Sequence, residues 1–333
     1  MTKKILITGG AGFIGSNFVR FLVNNYPDYS VYVVDSLTYA GNLDNIPPEF
    51  FDRPNFHFVE GTITDKQLMK KLIDKVDVIV HLAAESHVSY SIQNVSIFIE
   101  TNVKGTQVIC EAVRENGIER FINISSSEVY GSAVTLPMDE NHPLLPYSPY
   151  AASKIGAERM VYAYYKTFDI PAVIIRPFNN YGPNQHIEKV IPRFITQALS
   201  GELLTIHDDG RQSRDWVYVE DCCEAIDKAI HADIEKLKGE VINIGTGKDT
   251  SIIQIAEMIL DYLGKPRDLI SWGGTRPGQV QRHITSTEKA KRLLDWKATT
   301  EFHRGLVWTI EWYQKNPQWW QKLRKIELSH TLN

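Results

Sequence analysis

Residues 125–131 read SSSEVYG: three hydroxyls, a carboxylate and a phenol in succession, directly after the apolar run FINI. A second concentration follows in SPYAASK (148–154), where Tyr150 and Lys154 stand four residues apart. The next stretch, AERMVYAYYK, has a helical pattern, so both side chains fall on one helix face. An ammonium beside a phenol favours the phenolate and lowers its pKa. A phenolate so placed can take the proton of a hydroxyl while the carbon bearing it gives a hydride to nicotinamide. Taken alone, Tyr-x-x-x-Lys describes many surface pairs, and Glu128 in a turn reads as a solvated carboxylate. The glycine loop near the N-terminus changes that balance.

ITGGAGFIGSNFVRFL places Gly9, Gly12 and Gly15 between a strand-like run and a helix-like one. Glycine there permits a tight turn, close approach of a pyrophosphate and close helix–strand packing. The helix N-terminus adds N–H donors and a positive dipole end. Asp35 ends the next apolar run, twenty residues after Gly15. Its carboxylate can accept from both adenosine ribose hydroxyls and would repel a 2′-phosphate, so the expected cofactor is NAD rather than NADP. A purely structural turn with a solvated Asp35 is the plain alternative.

Positioning these groups requires a sheet. The runs at 4–8, 31–35, 55–61, 76–82, 120–125 and 172–177 are short, and several are apolar at consecutive positions, as strands buried on both faces are. Helical patterns lie between them, which predicts a doubly wound α/β fold with a parallel sheet. After about residue 176 the style changes to RPFNNYGPNQH, a helix, a hairpin-like region (LLTIHDDGRQSRDWVYVED), further helices, a glycine-rich loop and a tryptophan-rich end. The expected division is an NAD-binding Rossmann domain over 1–176, with return segments from about 215–235, and a smaller α/β lobe over 177–333.

The chain has 333 residues, 43% hydrophobic and 23% charged, with a net charge of −4. No basic footprint points to nucleic acid. Cys110, Cys222 and Cys223 make neither a disulfide framework nor a zinc spacing, and His81, His87 and His186 lack metal-ligand spacing, so no metal is expected. The apolar run near the N-terminus is too short for a signal peptide and no run reaches membrane-spanning length. The expected location is cytoplasmic.

With DSLTYAGNL (35–43), HLAAESHV (81–88), ETNVKGT (100–106), NNYGP (179–183), EKVIP (188–192), RDWVYVED (214–221) and RPG (276–278), the chain resembles the extended short-chain dehydrogenase/reductases over nearly its full length. Within them it is most similar to the nucleotide-sugar 4,6-dehydratases, above all those acting on dTDP-glucose. The resemblance implies NAD, a nucleoside-diphosphate sugar and three stages. C4 is oxidised with Tyr150 as base and Ser126 aiding proton transfer; Glu128 removes the C5 hydrogen while the C6 hydroxyl leaves; the hydride then returns to C6. It also implies cofactor contacts from Phe13, Ile14, Thr38, Ile63 and Ala83 besides the glycines, Asp35, Tyr150 and Lys154. Substrate contacts are implied from Ser86, Asn179, Asn180, Glu188, Lys189, Arg214 and Arg282, because forked arginines suit a diphosphate. Helices near 95–115 and 150–168 would form a homodimer interface, and Tyr130 would pack or position substrate.

Departures from the family pattern cluster on the substrate side. Ser127 stands where the dTDP-glucose enzymes carry an aspartic acid, and a serine hydroxyl is a poor acid near neutrality. Ser89, Tyr90 and Ser91 replace Asp-Arg-Ser, and Gln279 and Val280 replace His-Asp; on the cofactor side only Thr62 departs, from an aspartate. The Ser-Glu pair resembles that of GDP-mannose and N-acetylhexosamine dehydratases and UDP-glucuronate decarboxylases, which stay open as alternatives, as does a 4-epimerase. A non-catalytic dinucleotide sensor would tend to lose Tyr150 and Lys154.

Overall fold

Six of the apolar runs become neighbouring strands of one sheet. The computed structural model describes residues 2–275 and 277–331, so Arg276 of the RPG motif lies outside the described residues. The strands are β1 (Lys4–Thr8), β2 (Ser30–Asp35), β3 (Phe56–Glu60), β4 (Val78–His81), β5 (Arg120–Ile124) and β6 (Ala172–Pro177). β7 (Asn179–Tyr181), β8 (Leu204–His207), β9 (Ser213–Tyr218), β10 (Val241–Ile244), β11 (Asp249–Ser251) and β12 (Ile270–Gly273) follow. The main sheet has the order β3-β2-β1-β4-β5-β6-β10, and every pairing in it is parallel. The order reverses at β1, so a crevice must open there at the strands' carboxyl ends.

The consecutive apolar residues follow from burial on both faces. Ile5 and Ile7 face one core with Phe18 and Leu22 of helix Phe13–Asn25 and Ile226 of helix Val219–His231. Leu6 and Ile79 face the other, with Met69 of helix Lys66–Ile73, Val108 of helix Gly105–Asn116 and Val161 of helix Pro149–Phe168. A third apolar cluster joins helices Val190–Ser200, Ile252–Leu263 and Phe302–Lys315 through Phe194, Ile255, Ile259 and Ile310. Trp320 is buried in it, and Trp312 and Trp319 pack against it.

Two expectations about the later chain change. The region 203–221 is not a hairpin: β8 pairs in parallel with β12, while β9 lies between β7 and β11. The seventh strand of the main sheet, β10, lies beyond the expected return segment. Its four residues VINI sit between Gly239 and Gly245 and gain their place by burying Ile242 and Ile244 against the first core.

Local signals fix the helix Pro149–Phe168, which carries Tyr150 and Lys154. Pro149 occupies its first turn, where a missing N–H costs nothing, and the Ser148 side chain accepts from Ala151 N. Such a cap contributes about 1 kcal/mol. Asp169 closes the helix in the left-handed conformation (φ 56°). Tyr150 is thereby held in the first turn and Lys154 one turn on.

Candidate active site

At the carboxyl ends of β1, β4, β5 and β6 lies a cavity of about 640 Å³. Its wall brings together Gly9, Gly12, Phe13, Ile14 and Gly15 from the glycine loop, with Asp35, Thr38, Ile63 and Ala83 beside them. Ser126, Ser127, Glu128, Tyr150 and Lys154 form another part of the wall, and Ser86, Asn179, Asn180, Glu188, Lys189 and Arg214 a third.

The glycine loop is shaped by close approach. Gly9 has φ +73°, and a Cβ there would sit 2.6 Å from Ala83 N. A Cβ on Gly15 would lie 2.1 Å from the Gly9 carbonyl oxygen. Helix Phe13–Asn25 begins with no side-chain cap and no acidic residue in its first turn, which leaves its first N–H groups available to an anion. Asp35 ends β2, and its two oxygens accept from Ala11 N and Leu37 N, both at 2.9 Å. Burial pushes this carboxyl up and those two N–H groups pull it back. Each oxygen retains acceptor capacity for a hydroxyl.

On the wall that carries Tyr150 and Lys154, Ser126 N-caps the short helical turn Ser127–Tyr130, its Oγ accepting from Glu128 N at 3.2 Å. The same side chain is near enough to Tyr150 to lower the phenol. One hydroxyl therefore stands beside the phenol and caps the backbone of the carboxylate-bearing residue. The phenol is pushed up to about 12, first by burial, with Ser126 lowering it and the Glu128 carboxylate raising it. Lys154 donates to Ile124 O at 2.7 Å and is pushed down to about 8 by burial, against a raising effect of Glu158. Lys154 is not among the groups that move this phenol: desolvation disfavours both charges, and the ammonium is engaged with a strand-end carbonyl.

Across the cavity, Glu188 takes contacts from Lys189 Nζ at 2.9 Å and His87 Nε2 at 3.3 Å, and accepts from Tyr39 Oη at 3.3 Å. Burial raises this carboxyl, but Lys189, His87 and His186 together hold it below the usual range. Lys189 also donates to Ser86 O at 3.0 Å, so this cluster spans the cavity mouth. Arg214 on β9 lines the cavity and donates to Ser213 O. Its neighbour Asp215 points the other way, buried, accepting from the backbone N–H groups of Thr246, Gly247 and Thr285. Among the described residues, no three His, Cys, Asp or Glu side chains are grouped to hold a metal ion.

Residues 6–308 match the family model described as GDP-mannose 4,6 dehydratase. The chain is 45% identical to the low-salt glycan biosynthesis protein Agl12 of Haloferax volcanii, over 93% of this chain and 98% of that protein. It is 41% identical to a trifunctional UDP-glucose 4,6-dehydratase, epimerase and reductase of Arabidopsis thaliana, over 98% of this chain and 50% of that one. The crystal structure of DesIV, a dTDP-glucose 4,6-dehydratase from Streptomyces venezuelae with NAD and TYD bound, superposes with a TM-score of 0.91 at 41% identity, covering 96% of this chain and 99% of that one. The chain belongs to the nucleotide-sugar 4,6-dehydratase family.

For this 4,6-dehydratase, one expected site residue lies elsewhere, while Tyr130 takes the packing arm of its expectation. Arg282 does not line the cavity; its guanidinium, half-exposed, is forked onto Asp249, with Nε 2.8 Å from Oδ2. Tyr130 faces away from the cavity, fully buried, with its hydroxyl bonded to Arg176 and Asn243. Conversely, Ser125 and Arg193 line the dehydratase cavity without having been singled out. The only signal for either is adjacency: Ser125 opens the SSSEVYG turn, and Arg193 follows EKVIP by one residue. The Ser125 Oγ and the side-chain oxygens of Asn179 and Asn180 are buried without partners among the described residues. All three residues face this cavity.

Proposed function

We propose that this chain dehydrates a nucleoside-diphosphate hexose, with dTDP-glucose the best single candidate, to the 4-keto-6-deoxy sugar, using NAD that ends each cycle as it began. The observation that carries this reading is the shared wall of Glu128, Ser126, Tyr150 and Lys154, in which the Ser126 hydroxyl caps the turn that carries Glu128.

The residues present fit NAD. Gly9, Gly12 and Gly15 with the uncapped helix suit a pyrophosphate, Asp35 suits a ribose, and the unpartnered Ser125 and Asn179 oxygens suit polar groups of the nicotinamide end. Bound there, NAD supplies a positively charged ring that accepts hydride from C4 and later yields it to C6. Tyr150, as phenolate, takes the C4 hydroxyl proton through or beside Ser126, and the Lys154 ammonium holds that charge. Glu128 takes the proton from C5, made acidic by the C4 ketone. The C6–O bond breaks, and the leaving hydroxide must gain a proton to depart as water. Ser127 is buried and a poor acid, so the Glu128 carboxyl is the group placed to return that proton, serving as base and then acid; recharged with a proton from solvent, it would then protonate C5 as C6 is reduced. Arg214 with Asn180 meets the diphosphate, and Glu188 with Lys189 borders the nucleotide base.

Incubation with dTDP-, UDP- and GDP-sugars tests the reading by mass spectrometry: loss of one water from a hexose supports it. Loss of carbon dioxide from a UDP-uronate, or epimerisation without mass change, contradicts it. The buried hydroxyl at Ser127 carries a second reading, a different hexose as substrate. Ser127→Asp is expected to keep or raise turnover of dTDP-glucose; a sharp fall favours that second reading instead. Gly15→Ala is expected to abolish measurable NAD binding in equilibrium dialysis, since its Cβ meets backbone at 2.1 Å and no side chain can yield there.

We also assign residues 1–176, with the returning helix Val219–His231 and β10, to the cofactor lobe, and most of 177–331 to the substrate lobe. Helices Gly105–Asn116 and Pro149–Phe168 are the proposed homodimer face, supported by the exposed Val95, Ile99, Tyr162 and Phe168 on and beside them. No described helix is long and apolar enough to cross a membrane, and a cytoplasmic location is part of this reading.

A further inference from the structure

Behind the cavity wall, a buried ion pair touches both arms of the catalytic apparatus without lining the cavity itself. Arg176 on β6 is 2% exposed and forks onto Glu158, with Nε to Oε1 at 2.8 Å and Nη2 to Oε2 at 2.6 Å. Glu158 is fully buried and lies four residues after Lys154, on the same face of the catalytic helix. The remaining guanidinium nitrogen, Nη1, donates to Tyr130 Oη at 2.8 Å, and the group lies 4.8 Å over the Tyr130 ring. Tyr130 closes the turn that carries Ser127 and Glu128, and its hydroxyl donates to Asn243 Oδ1 at 2.7 Å. One guanidinium therefore grips the helix of Tyr150 and Lys154 with one edge and the turn of Glu128 with the other.

Stability alone does not call for such a device. Desolvating two charges is costly, and an apolar pair of the same volume commonly serves a core equally well. What an apolar pair cannot do is fix direction on both sides at once. We propose that Arg176 is a positioning residue that sets the placement of Glu128 relative to the Tyr150–Lys154 pair, with Tyr130 and Glu158 as its two grips. The proposal rests on the dehydratase reading for Glu128. Glu158 has a second consequence, since its carboxylate favours the charged form of Lys154 against burial. The other groups facing Lys154 are Tyr150 on its own helix, the buried His81 on β4 and the Ile124 carbonyl on β5.

The test uses the NAD-loaded full chain mixed with dTDP-glucose, following reduced nicotinamide by absorbance and water loss by mass spectrometry. Tyr130→Phe is expected to form NADH at the wild-type rate but to consume it about tenfold more slowly, because only the turn is loosened. Glu158→Leu/Arg176→Met removes both grips while keeping volume and fold. It should slow NADH consumption at least as much, and should move the alkaline limb of NADH formation to lower pH, because the ammonium loses its carboxylate. Wild-type rates for both steps in these folded variants overturn the proposal. So does a parallel fall of both steps that tracks the folded fraction in thermal melts, with the alkaline limb unmoved. If the wild-type chain itself releases no water, the dehydratase reading fails, while the alkaline limb of NADH formation still decides whether Glu158 acts on the pair.

Discussion

Glu128→Gln enzyme supplied with NAD and a nucleotide hexose is expected to oxidise C4 and then stop. The variant keeps the amide in place of one carboxylate oxygen, so its backbone N–H still bonds Ser126 and the turn keeps its cap. What is lost is the acceptor for the C5 proton. General-base removal of a proton contributes about 10²–10⁴-fold, so overall dehydration should fall by that factor. Formation of NADH should survive, since Tyr150, Ser126 and Lys154 are untouched, and the loss of the neighbouring negative charge makes the phenolate easier to form. Stopped-flow absorbance should therefore show a stable NADH plateau where the wild-type enzyme shows a transient. Normal water loss by the variant would remove Glu128 from the mechanism.

Tyr150→Phe is expected to fail one step earlier, with no NADH plateau and turnover lower by about 10²–10⁴-fold. Burial pushes the phenol up to about 12 and the Lys154 amine down to about 8, so it disfavours both charged forms in the chain by itself. Added positive charge in the cavity brings the phenol down. The sign for pH follows: C4 oxidation declines as pH falls, because the base becomes protonated. Lys154→Met should shift that acid limb to higher pH, since the cation favouring the phenolate has gone. Near-native turnover in Tyr150→Phe, or an acid limb indifferent to Lys154, would contradict the assignment.

Much of this arrangement was legible because it depends on local pattern. The glycine triplet between strand and helix, Asp35 at a strand end, and Tyr150 four residues before Lys154 each express a geometry that nearest neighbours in sequence impose. The six first strands were legible for the same reason, since continuous apolar runs mark burial on both faces. What escaped the reading depends on partners far away in the chain. β10 is four residues long and acquires its identity only by pairing with β6. Strands β8 and β9 resemble a hairpin in sequence, yet distant strands compete for both edges. Arg282 carried the right chemistry for a diphosphate, but Asp249, 33 residues away, holds its guanidinium. The ionisation of Tyr150 is not legible, because sequence shows which charges are near and not how much water burial removes.

The most direct test of the central claim is to run the reaction in D2O with wild-type and Glu128→Gln enzyme and to locate deuterium in the sugar. If Glu128 removes the C5 proton, yields it to the leaving hydroxide and is recharged from solvent before protonating C5, the wild-type 4-keto-6-deoxy product carries one deuteron at C5. The variant should then leave the C5 hydrogen of its sugar intact while NADH accumulates. A Glu128→Gln enzyme that still places deuterium at C5 at the wild-type rate would contradict the account.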